Sequence, residues 1–175
     1  MAEEVLIGLK ALYMGPLAND GGLSTDLDLV SNAVIDTPRF LIAEGTKTDF
    51  PIEQSDAPFY SRTTQGETTF TLELYGISPE TLARHFGGSV VPGPTSADSI
   101  YEPPDVTPTL ERSVIAEHLD GGYLEIVRLS YSATFDWAFQ KNNLPKIIIN
   151  GTVLQPTKAN TKRFRFHTAD YVPAP

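Results

Sequence analysis

Histidines, carboxylates and one aromatic run are the residue types in this chain that could do chemistry. His85, His118 and His167 fall in segments that read as a helix, a strand and the tail, without the i, i+4 spacing that sets two imidazoles around a metal. They read as structural histidines. Glu73 and Glu117 lie on strand-like segments and are the candidates for an acid pair, which needs two carboxylates facing each other across a substrate. Glu3-Glu4, Asp26 and Asp28 lie in loop-like stretches and read as solvated surface. Trp137 sits among Tyr131, Phe135 and Phe139; with Tyr101 these rings would stack on a sugar if they shared a groove, and they read more simply as packing.

The motifs that organise common catalytic sites are missing from the sequence. It holds no Gly-x-Ser-x-Gly, no Walker-type lysine and no dinucleotide fingerprint, and Gly15 to Gly22 lacks the strand-to-helix setting of a phosphate cradle. Asn150-Gly151-Thr152 fits a glycosylation acceptor, but in the run KIIINGTVL it reads as a turn or bulge. No catalytic residue, metal or cofactor is therefore expected.

The elements that would carry these residues are mostly strands. Thr68 to Tyr75 alternates Phe70, Leu72 and Leu74 with polar residues, the period of a strand with one buried face. Ser78-Pro79-Glu80 then supplies a cap, a first-turn proline and an acid for the positive helix end. A short helix is predicted over about 79–86, with the stripe Leu82, Ala83, Phe86 and the stop Gly87-Gly88. Val5 to Tyr13 reads as a strand and Met14 to Leu29 as a loop. Residues 33–43 and 46–53 read as a hairpin turning at Glu44-Gly45, with Pro38 favouring a sheet edge. Ser55 to Gln65, with Phe59 and Tyr60, is either a connection or an extended arm. Five prolines between Gly87 and Thr109 predict a long surface loop without regular structure through most of its length, in which Tyr101 and Ile100 suggest a docked part. Asp120-Gly121-Gly122 predicts a long hairpin of 112–119 with 123–139. Both faces of its second arm are partly apolar, as expected where one meets the core and the other a second subunit. KIIINGTVL and residues 163–168 complete the strands.

A chain of 175 residues fits one domain, 1–175, and buries roughly 70% of its unfolded surface without metal or disulfide. The lack of Cys and of a leader-like or spanning segment predicts cytosolic synthesis and no membrane. A net charge of −9 argues against a surface that grips nucleic acid. Residues 1–136 carry net −14 and residues 137–175 net +5, a basic island of Lys141, Lys146, Lys158, Lys162, Arg163 and Arg165. The island either balances its own subunit or meets the acidic body of a neighbouring copy.

The order of these elements, with GISPETLARHFGG after a strand and Val153-Leu154-Gln155-Pro156 closing a late one, resembles the major tail tube protein of long-tailed bacteriophages. The resemblance implies a mainly β fold, a β-sandwich or partial barrel with one short flanking helix and long loops, whose copies form stacked, hexameric, β-lined rings. It implies a structural virion protein and no enzyme, in the tail after assembly in the host cytoplasm, with DNA passing through unbound. Its partners would be itself, a tape-measure protein, and tail terminator and distal tail proteins. In that setting Asp36, Glu44, Asp49, Glu117 and Glu125 are candidates to line the lumen, and Phe59, Tyr60, Lys158, Lys162, Arg163 and Arg165 to contact neighbouring subunits. The inner tube of a contractile tail or injection system fits the same order. A monomeric β-sandwich binding carbohydrate through Tyr101, Trp137 or Tyr131 is the reading from another class.

Overall fold

A computed structural model describes residues 8–30, 32–53, 55–95, 98–137, 141 and 143–173. It is mainly antiparallel β-structure with one helix, α1 (Pro79–Phe86). Strands β1 (Leu9–Pro16), β2 (Asp28–Leu29), β3 (Arg39–Ile42), β6 (Thr68–Tyr75), β9 (Leu110–His118), β10 (Tyr123–Asp136), β11 (Lys146–Val153) and β12 (Phe164–His167) form one sheet. Its order is β2-β1-β9-β10-β11-β6-β3, with β12 also paired to β10. Strands β4 (Thr46–Ile52) with β5 (Ser55–Thr64), and β7 (Ser89–Pro92) with β8 (Ser99–Glu102), make two separate hairpins.

The sheet curls because residues 28–30 pair with one of its edges and residues 32–34 with the other. Leu29 pairs with Tyr13 and the Val30 amide donates to Leu12 O at 2.7 Å. A few residues on, Asn32 O accepts from the Tyr75 amide and the Val34 amide donates to Glu73 O, both at 2.8 Å. One short segment thus laces β1 to β6 and closes this end into a barrel. At the same end α1 covers the core: Leu82 and Phe86 pack against it, Phe86 meets Phe135 edge-on, and Arg84 pairs with Asp28 at 3.1 Å. The helix begins and ends as the sequence predicts, with Ser78 Oγ accepting from the Thr81 amide and Gly87 at φ 75°.

The core is one layer of inward side chains, among them Leu12, Leu72, Val114, Ile126, Leu129 and Ile149. Strand β10 keeps contact with it through a change of parity. Leu124 and Ile126 point in, pairing slips between Ile126 and Leu129, and thereafter Leu129, Tyr131, Ala133 and Phe135 point in. Such a bulge inserts one residue and reverses the faces beyond it. Much of the two-faced apolar pattern is therefore one core face read across a bulge. The outer face near Ile115 and Val127 is covered by the chain itself: the Ser24 amide donates to Ser113 Oγ, which donates to Val127 O, and Tyr171 packs on Tyr13 and Tyr123.

Several expectations are corrected. Residues 33–43 and 46–53 do not pair; β3 joins β6 at the sheet edge, and β4 pairs with the following segment, β5. The reason is at Glu44-Gly45-Thr46, where the chain leaves the sheet without turning back, the Ala43 amide donating to Glu67 O. Strand β1 extends through Met14, Gly15 and Pro16, which the sequence suggested were loop. The Pro-rich segment folds β7 on β8 and packs Pro104 and Pro108 on the glycines that end α1. Gly151 is no turn: it is buried within β11, where a Cβ would meet Leu129 Cδ1 and Cγ at 2.8 Å.

Gly151→Ala should cost about 1–3 kcal/mol through that collision. Leu129→Ala alone should cost about 2–5 kcal/mol, and the double variant less than the sum because truncating Leu129 makes room. Urea unfolding of the three variants measures this.

Candidate functional site

The candidate catalytic groups do not converge. Glu73 is held by Lys146 Nζ at 2.9 Å and Glu117 by Lys10 Nζ at 2.7 Å, each by its own lysine. Glu125, also buried, lies 3.0 Å from His167 Nε2 and 3.4 Å from Arg165 Nε. Glu117 and Glu125 thus spend their charges inside the fold and are not open to a lumen in the single chain. Among the described residues no three His, Asp or Glu side chains gather as metal ligands, and no helix is long and apolar enough to cross a membrane.

The aromatic platform also separates. Tyr131 is buried with its hydroxyl 3.2 Å from His85 Nδ1, Tyr101 is half-buried on β8, and Trp137 stands half-exposed beyond β10, 5.6 Å from Phe135. Phe139 lies outside the described residues. The basic island is partly neutralised within its own chain, through Lys146 with Glu73, Lys158 with Asp20 at 2.6 Å, and Arg165 with Glu125.

Two features have no such internal explanation. The first is the arm formed by β4 and β5, which projects roughly 25–30 Å at strand rise. Every residue of β4, and residues 57–64 of β5, is exposed. Opposed pairs share a face, so Phe50 with Tyr60, and Thr48 with Arg62, lie together. The opposite face carries Lys47, Asp49 and Ser61, joined by an ion pair of 3.2 Å and a hydroxyl–carboxylate hydrogen bond, together with Phe59. Phe59 is 78% exposed and Tyr60 57%. An isolated two-stranded hairpin of this kind is marginal in water, and its apolar face is an unburied cost.

The second is the end of the barrel opposite α1. Here Leu9, Phe70, Ala116 and Leu124 meet Phe40, Phe164 and Phe166 around a cavity of about 650 Å³. Phe40 and Phe164 touch across it, 5.0 Å between centroids. Asp36 is on its lining, in left-handed backbone at φ 64°, and His118 shares it, with Nδ1 buried and unpaired among the described residues. No Lys or Arg lines it. Glu44 lies exposed at the base of the arm. Phe59 and Tyr60 were visible to sequence reasoning as adjacent aromatics needing a partner. The mouth was not, because its rings come from β3, β6 and β12, and no local period joins them.

No protein-family model matches the chain, and no curated protein matches it. What the chain presents is an exposed aromatic arm, an open apolar mouth, and buried acids paired within the fold.

The sealed end has its own electrostatics. Burial, then the nearby Arg84 and Arg112 charges, lower the His85 pKa to about 4, so the imidazole is neutral in the folded protein. The unfolded chain takes up this proton at about 6.5, so the folded state is favoured fully above that pH and loses stability as pH falls toward about 4. The loss attributable to His85 should reach about 3 kcal/mol. His85→Gln should flatten the fall in urea midpoint between pH 6.5 and 4.

Proposed function

We propose that this chain is a self-assembling structural protein of a phage-type tail tube, working through contacts between copies and not through an active site. The observation that carries the reading is the β4–β5 arm, a two-stranded sheet separate from the main one among the described residues, along which Phe50, Phe59 and Tyr60 are exposed. Apolar surface of this kind is characteristic of a surface that becomes buried on association.

The resemblance read from the sequence supplies the biological setting. Its signature elements fold as expected locally: β6 runs into the Ser-Pro-Glu helix, Gly87-Gly88 ends it, and β11 leads into Leu154-Gln155-Pro156. The hairpin expected to turn near Glu44-Gly45 is replaced by the arm. In the proposed ring, edge strands gain partners and the remaining exposed acids, such as Glu44, add to a negative field along which DNA slides without adhering, whereas Asp49 is already paired with Lys47. Lys162 and the uncommitted part of the basic island then face neighbouring copies, and a tape-measure protein and tail-end proteins complete the assembly.

Purified protein should form annular particles or hollow rods in negative-stain electron microscopy, with light scattering that grows with concentration. Phe59→Ser together with Tyr60→Ser should leave a folded monomer. Wild-type protein that stays monodisperse and monomeric at every concentration would sink the reading.

A further inference from the structure

We propose that the open mouth of the barrel is the socket for the β4–β5 arm of a second copy, Phe50 and Tyr60 entering among Phe40, Phe164 and Phe166 while Arg62 reaches Asp36. The inference rests on the assembly reading and adds to it the surface that receives the arm.

Chemistry distinguishes the two faces of the arm. One carries the paired Lys47, Asp49 and Ser61, with Phe59 beyond them. The other presents Phe50 and Tyr60, their rings 5.9 Å apart, with Arg62, which makes no ion pair among the described residues. The mouth is complementary in both respects. It is lined mainly by aromatic and aliphatic side chains, with His118 among them, and its one carboxylate, Asp36, has no lysine or arginine on the lining. Charge complementarity of this sort fixes the register of a contact whose affinity comes from the rings.

Phe50, Ile52 and Tyr60 are each already about half covered within the arm, so the contact is smaller than the ~800 Å² per partner of a standard interface, and its strength comes from two ring anchors and from repetition around an assembly. The arm's own barrel is not the recipient. Gly66 lies hard against the Ala43 and Glu44 carbonyls, and the Ala43 amide is bonded to Glu67 O, so the arm leaves the rim along a set direction with its apolar face uncovered. Each copy then offers one arm and one mouth, which is a head-to-tail contact; such contacts propagate into rings or filaments.

The chain has no cysteine, so engineered thiols report without background. Full-length Thr48→Cys protein, its thiol beside the rings on the same face of the arm, would be mixed with differently tagged Leu119→Cys protein, whose exposed position packs on Gly8 at the rim of the mouth, and treated with a short bis-maleimide. The expected result is a mixed covalent dimer, absent when Leu119→Cys is replaced by Val172→Cys. Tyr60→Ala should weaken association about thirtyfold, the loss typical of a buried aromatic anchor. Phe166→Glu, at a half-exposed position, should do at least as much while keeping the wild-type circular dichroism. Wild-type assembly without the mixed dimer, and with Tyr60→Ala assembling normally, overturns the socket but leaves the assembly reading standing. A wild-type chain that never associates overturns both.

Discussion

Strand β10 is the constraint on which the rest of the molecule depends. It is long enough to be shared: β9 lies along one side, while β12 takes the first part of the other and β11 the remainder. The bulge between Ile126 and Leu129 lets one strand serve both stretches without losing the core. Inward side chains on either side of it bury Ile126, Leu129 and Tyr131 almost completely. A regular strand there would send Leu129 and Tyr131 outward and set Arg128 and Ser130 inside, where unpaired polar groups are costly. The mouth follows from the same sharing, since β12 and β11 occupy successive parts of one edge and leave the barrel open beside β3.

What the sequence made legible was what is local. The alternation in Thr68 to Tyr75, the cap and stop around α1, and the Asp-Gly-Gly turn each act within a few residues, so their outcome needs no knowledge of the rest of the chain. Partner choice is different. Glu44-Gly45 looks like a hairpin turn, but β3 gains more by joining β6 in the core sheet than by pairing with β4, which has no buried face to offer. The five prolines around residue 100 suppress long strands yet allow two of four residues each, because Pro92 ends one and Pro103 follows the other. As for the site, Phe59 and Tyr60 stood out by type, whereas the face that groups Phe50, Tyr60 and Arg62 depends on a pairing no window of sequence displays.

Electrostatics tell a similar story. An excess of acids suggests a negative surface, but two of the acids that stand on predicted strands, Glu117 and Glu125, are almost fully buried. They hold Lys10, Arg165 and His167, tying the N-terminal strand and the closing strand to the sheet. Charge count is a property of composition; its use as a surface field or as an internal tie is decided by topology.

The two ends of the barrel are unlike. One is stopped by α1 with a neutral histidine beneath it, and the other is open and aromatic. A subunit built this way has a direction, as an arrow does, and any array that repeats it by translation has two distinguishable tips. If copies join as proposed, one tip would display vacant mouths and the other vacant arms, so the two would differ in growth rate and in what each can bind.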